Sequence, residues 1–129
     1  MKISHVAIYV HDLEREKIFF VKYFGAKSSD KYRNSQTGFS SYFLTFDDGA
    51  RLEIMNRPTL KDSLEDAFCT GWHHIAIEVG DKKSVDDLTK KFRADGYRVT
   101  SEPRTTGDGY YESIILDDEG NRIELVAKR

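Results

Sequence analysis

Residues 74–79 read HIAIEV and residues 5–10 read HVAIYV, so one sentence opens two halves of the chain. In both, aliphatic residues alternate with a second set that begins on a histidine, the period of two expected of a strand. Further on, RLEIM at 51–55 and RIELV at 122–126 form a second matching pair. Each sets a glutamate four residues after a turn glycine, Glu53 after Gly49 and Glu124 after Gly120. The histidine numbers 5 and 74 differ by 69 and the glutamate numbers 53 and 124 by 71, so the second copy holds two extra residues between its paired positions. Two half-units of similar length are implied.

Outward from these anchors the rest of each half falls into place. In the first, Val6, Ile8 and Val10 face one way and Ile3, His5, Ala7 and Tyr9 the other, which predicts a strand over 3–10. Asp12 is suited to cap a helix over 13–24, in which Leu13, Phe20 and Phe24 recur at helical spacing and Gly25 supplies the stop. Polar, turn-rich residues 27–38 lead to strands over 39–46 and 51–55 joined by the turn Asp47-Asp48-Gly49. The second half repeats the order: a strand over 74–79, Asp81, a helix with Val85, Leu88 and Phe92 on one side, and Gly96 at its end. A short strand near 97–101, the loop SEPRTTGDG at 101–109, and strands over 110–117 and 122–127 complete it.

Each half is therefore a β-α-β-β-β unit, and the class is α+β. The expected organisation is one domain with module one at 1–57, a connector at 58–71 and module two at 72–129. The connector contains Pro58, and a short helix is expected at 60–67. The two units are expected side by side, their sheets joined into one curved surface with helices outside.

At 129 residues the chain is long enough to bury a real core. Its 20 basic and 22 acidic residues are scattered and leave a net charge of −2, which speaks against nucleic acid and anionic membrane as partners. The early apolar run at 6–10 is too short for a signal or spanning helix, so the cytoplasm is the expected location. Cys69 stands alone, which excludes an internal disulfide and a thiolate cluster.

The alternation also sorts the polar residues. Ile75, Ile77 and Val79 take one face of their strand and leave His74, Ala76 and Glu78 on the other. Leu52 with Ile54, and Ile123 with Leu125, likewise turn Glu53 and Glu124 away from the helices. A desolvated imidazole or carboxylate is costly unless paired, hydrogen-bonded or metal-bound. Two imidazoles and two carboxylates, His5, Glu53, His74 and Glu124, suit one divalent cation, and nitrogen with oxygen but no sulfur fits Ni, Zn, Co, Mn or Fe(II). Any one of these residues alone reads as an ordinary strand histidine or solvent-facing glutamate; the duplication on one computed face is what points to metal. His73 falls on the opposite parity and His11 at the strand–helix junction, so both are expected to be structural or solvated.

These motifs, with DDEGNRIELV at 117–126, resemble the vicinal oxygen chelate superfamily, the glyoxalase, bleomycin-resistance and extradiol-dioxygenase group, over essentially the whole chain. The resemblance implies tandem βαβββ modules forming a cupped, mostly antiparallel sheet with helices on the convex side, around a metal and in a homodimer. His5, Glu53, His74 and Glu124 match all four ligand positions of bacterial-type glyoxalase I. What this implies is a lactoylglutathione lyase type of reaction, isomerising an α-hydroxycarbonyl thiohemiacetal through an enediolate. Glu124 is then the proton-transferring base and Glu53 its partner, with Ni or Zn as metal and Co, Mn or Fe as substitutes.

The substrate is expected to be a small molecule, a thiol adduct among the candidates, lined by Tyr9, Glu78, Arg33, Arg104, Tyr110 and Tyr111. Glyoxalase I proteins commonly carry arginine where Tyr9 stands and asparagine where Arg57 stands. A thiol other than glutathione, or another acyl or sugar-like substrate, therefore stays open. Within the same superfamily an epimerase or a dioxygenase is the alternative, and outside enzymes a bleomycin-resistance type of binding protein. The four ligands come from one chain, or from two chains in a domain-swapped dimer.

Overall fold

The structure is a computed structural model that describes residues 1–62 and 70–129. It divides into two compact units, Met1–Ser63 and Leu64–Arg129. The chain is α+β, with a mixed sheet and one long helix in each unit, as tandem βαβββ modules require. Of the helix expected over 60–67, residues 63–67 lie outside the described residues, and residues 60–62 are not helical.

The first unit runs β1 (Val6–Tyr9), α1 (Leu13–Phe24), β2 (Lys27–Ser28), β3 (Tyr32–Arg33), β4 (Ser40–Thr45) and β5 (Arg51–Asn56). Its sheet has the order β1-β5-β4-β2, with β3 also on β4. The expected strand over 3–10 is shorter: pairing runs from Val6 opposite Leu52 to Tyr9 opposite Met55, and residues 3 and 4 lie beyond Arg51, the first residue of β5. β1 runs parallel to β5 and β4 antiparallel to it.

Helix α1 starts where Asp12 Oδ1 accepts the Arg15 N–H at 3.0 Å. It stops where Gly25, at φ 64°, lets its own N–H reach Val21 O and that of Ala26 reach Phe20 O. The buried face is Leu13, Glu16, Phe19 and Phe20, so Phe19 takes the place expected for the half-buried Phe24. These rings cover Leu44, Leu52 and Ile54, each almost fully buried, and each contributes about 1.5–3 kcal/mol of burial.

The second unit runs β6 (Ile75–Gly80), α2 (Lys82–Ala94), β7 (Val99–Thr105), β8 (Tyr111–Leu116) and β9 (Arg122–Ala127), in sheet order β6-β9-β8-β7. Again the first strand is parallel to the last, β6 to β9. Asp81 caps α2 by accepting from Ser84 N and Ser84 Oγ, both at 2.8 Å, which holds its carboxyl below the usual carboxylate range. Val85, Thr89 and Phe92 form its buried face. Leu88, expected there, is only half-buried, and Thr89 enters because its hydroxyl bonds Val85 O at 2.6 Å and Ser113 Oγ at 2.7 Å. Strand β7 extends through Pro103 into the segment expected as a loop; an edge strand with shifted register tolerates the missing N–H.

Candidate metal centre

The same register recurs at the anchors of both units. Ala7 of β1 stands opposite Glu53 of β5, and Ala76 of β6 opposite Glu124 of β9. Leu52 and Ile54, like Ile123 and Leu125, are buried under the helices, so the intervening glutamates project from the other face. Each histidine lies two residues before its alanine, diagonal to the glutamate. His5 Nε2 comes 3.6 Å from Glu53 Oε2, and His74 Nε2 comes 3.3 Å from Glu124 Oε2. The settings match too: the histidine side chains are 36% and 34% exposed and the glutamate side chains 16% and 13%. Half-sequestered carboxylates facing open imidazole nitrogens are suited to receive a cation rather than to bury a charge.

Each pair has its own supports. The His5 ring stands edge-on to Phe43, with centroids 5.1 Å apart, and Arg51 lies over the same Phe43 ring at 5.1 Å. His74 stands edge-on to His73 at 5.1 Å. Glu124 has a second acidic neighbour, Glu112 of β8, whose side chain is 12% exposed. Burial pushes the Glu124 carboxyl up, the His74 charge pulls it down, and Glu112 pushes it further up by charge and by hydrogen bonding. Glu112 stands outside the duplicated motifs, although its parity along β8 sets it on the Glu124 face.

The residues expected to line a substrate pocket divide by face. Tyr9, paired with Met55, shares the His5 and Glu53 face at the end of β1 and is half exposed. Arg33 pairs with Ser40, which shares the parity of the helix-facing Tyr42 and Leu44, so Tyr32, opposite Ser41, is the β3 residue on the Glu53 face. In the second unit, Glu78 and Glu112 both pair with Val126, and Arg104 pairs with Glu112 at 3.9 Å, making a row beside Glu124. Tyr110 lies at the head of β8 with the Arg129 guanidinium 3.7 Å from its ring centroid. Tyr111 lies on the helix side: its hydroxyl donates to Asp86 of α2 at 2.7 Å, which pushes its pKa up. His11 bonds Asp62 through Nε2 at 2.7 Å and is exposed.

Among the described residues no group of three or more His, Cys, Asp or Glu side chains is gathered closely enough to hold an ion, so each unit offers its donors as a pair. Neighbouring ligands of an octahedral ion with bonds of roughly 2.1 Å stand roughly 3 Å apart. Separations of 3.6 and 3.3 Å, with nitrogen and oxygen donors, fit one edge of such a shell.

The sequence and the fold both recur among known proteins. A sequence model of the Glyoxalase/Bleomycin resistance protein/Dioxygenase superfamily matches residues 2–125. The chain belongs to that superfamily. It is 30% identical to the uncharacterized protein YqjT of Bacillus subtilis (strain 168), covering 97% of this chain and 98% of that one. It is 29% identical to the lactoylglutathione lyase GLX1 of Arabidopsis thaliana, covering 98% of this chain and 44% of that protein. It is 33% identical to the mitochondrial methylmalonyl-CoA epimerase of Homo sapiens, over 70% of this chain and 53% of that protein. The superfamily fold is evident in solved structures: the glyoxylase/bleomycin resistance protein/dioxygenase domain from Frankia sp. EAN1pec superposes with a TM-score of 0.82 at 18% identity, covering 100% of this chain and 98% of that one. The fosfomycin resistance protein FosX from Listeria monocytogenes, complexed with Mn(II) and sulfate, gives 0.74 at 22% identity, covering 99% and 93%. Among the described residues no helix is long and apolar enough to cross a membrane.

Proposed function

We propose that this chain is a metal-dependent lyase of the glyoxalase I kind, isomerising an α-hydroxycarbonyl thiohemiacetal by moving one proton between neighbouring carbons. The observation that carries the reading is the repeated register that turns His5 Nε2 to Glu53 and His74 Nε2 to Glu124 on the faces away from the helices. His5, Glu53, His74 and Glu124 are the proposed ligands of one divalent ion, Ni or Zn, with Co, Mn and Fe as substitutes. When bound, the ion supplies Lewis acidity toward two adjacent substrate oxygens and favours loss of the carbon-bound proton.

The protein's part is to take that proton and return it. Glu124 is the proposed base, because burial and Glu112 raise its carboxyl and so make its carboxylate a better proton acceptor. Glu53 is its partner in the proposed ligand set. Tyr9, Glu78 and Arg104, on the same faces as the ligands, are the proposed contacts to the substrate arms. The likeness to the Arabidopsis lactoylglutathione lyase supports the reaction type, and Tyr9 in the place of arginine favours a thiol other than glutathione. The working assembly is a homodimer in the cytoplasm.

Elemental analysis of protein purified without added ions is expected to find one divalent cation per site, lost in Glu53→Gln and His74→Ala. Isomerase activity with methylglyoxal is then expected with one of a panel of thiols. Full metal content with no product from any thiol, but turnover of an acyl-CoA epimer, would transfer the chain to the epimerases.

A further inference from the structure

Each histidine of the two pairs is held at its far nitrogen by the residue immediately before it. Ser4 Oγ lies 3.2 Å from His5 Nδ1, and His73 Nδ1 lies 2.8 Å from His74 Nδ1. In both rings Nε2 is therefore the atom turned to the glutamate. A neutral imidazole has one proton, and a ring that gives its Nε2 lone pair to a cation must keep that proton on Nδ1. The Nδ1–H then requires an acceptor, which also fixes the ring plane.

Ser4 and His73 both meet that requirement by different chemistry. The Ser4 hydroxyl oxygen already accepts from Arg51 Nη2 at 3.0 Å, and its remaining lone pair is available to His5. Arg51 is itself steadied over the Phe43 ring on which His5 packs, so Arg51, Ser4, His5 and Phe43 form one closed set. His73 Nδ1 offers a lone pair whenever its own proton sits on Nε2. A hydroxyl in one unit and an imidazole in the other do the same task at equivalent positions, so the shared feature is the hydrogen bond and not the side chain.

We infer that Ser4 and His73 are positioning residues, each accepting the Nδ1–H of the following histidine so that its Nε2 lone pair is presented to a divalent ion. This rests on the metal reading above. It gives His73, which precedes β6 and has the parity opposite to His74 in the sequence, a definite task.

Zinc is the probe, because it is diamagnetic and spectrally silent. In nitrogen-15-labelled protein loaded with zinc, two-bond proton–nitrogen spectra are expected to show His5 and His74 bound through Nε2 and protonated at Nδ1. Competition with a chromophoric chelator is expected to show zinc held about 10–100-fold more weakly by Ser4→Ala and by His73→Leu. His73→Asn, whose side-chain carbonyl accepts a hydrogen bond, is expected to recover most of that loss, which a merely structural role would not. Both positions are exposed, so backbone amide spectra of the metal-free variants are expected to match the unaltered protein. Zinc affinities within about twofold of the unaltered protein in both loss variants, or coordination through Nδ1, would overturn the inference alone. No zinc binding by the unaltered protein would overturn the metal reading and this inference with it.

Discussion

Glu124 on β9 has the carboxyl of Glu112 on β8 against it, a neighbour for which the first unit has Ser41 at the matching register. The two halves, alike in their histidine–glutamate pairs, thus differ in the charge placed beside one of the glutamates. Replacing Glu112 with glutamine removes the repelling charge, so the Glu124 carboxyl is expected to titrate at lower pH than in the unaltered protein. Carbon-13 carboxyl titration of metal-free protein reads this directly. An unmoved Glu124 titration would mean that burial alone raises it.

The same carboxyl exerts a stability effect whose sign follows from its direction. Its folded pKa lies above the ordinary 4.5, so the stability it contributes is present below 4.5 and is lost as pH rises through the raised folded value. At neutral pH the metal-free protein therefore carries a poorly solvated charge. Glu124→Gln is expected to stabilise the metal-free protein at pH 7 by about 1 kcal/mol, or about 4 °C in Tm, while abolishing ion binding. Melting in chelator at pH 7 and pH 4 checks it, the advantage being confined to the higher pH. Equal Tm differences at both values would remove the electrostatic cause.

Glu14 works in the opposite direction. Hydrogen bonds from Lys31, Lys17 and the Tyr42 hydroxyl pull its carboxyl down to about 2, and the cluster ties α1 to β4. Its contribution is complete above 4.5 and is lost as pH falls toward 2. Because the Glu14 side chain is 51% exposed, solvent screens much of this, and Glu14→Gln is expected to cost about 0.5–1 kcal/mol at pH 7. Denaturant melts should show the unaltered protein and the variant converging as pH drops from 5 to 2. A gap that persists at pH 2 would assign the effect to packing.

The sequence disclosed most where local chemistry and global packing agree. Asp12 and Gly25 bound α1 at 13 and 24 because a cap and a left-handed stop act within one turn. The histidine–glutamate faces were legible because Leu52, Ile54, Ile123 and Leu125 leave no choice of parity. Strands β2 and β3, two residues each and exposed, carry no periodic signal and exist only because β4 offers a free edge. The burial of Thr89 and Ser113 depends on a hydrogen bond between residues 24 apart, which no window of sequence contains. The faces taken by Arg33 and Tyr111 follow from pairing register and from the bond to Asp86, which residue type alone does not disclose.

Gly80 joins β6 to α2 and is the most closely approached glycine among the described residues of the second unit. Its φ is +120°, and a Cβ there would stand 2.7 Å from Ser84 Oγ. That hydroxyl is already committed to the Asp81 cap, so moving it weakens the start of α2. The Gly80 carbonyl also accepts from Lys128 N at 2.6 Å, which ties the end of β9 to this junction. Gly80→Ala is expected to cost about 1–3 kcal/mol, from strain at positive φ together with the disturbed cap. Urea denaturation should show a lower midpoint with an unchanged slope, since the surface exposed on unfolding is the same. A midpoint equal to that of the unaltered protein would mean that the β6–α2 junction can shift to a conformation open to L side chains.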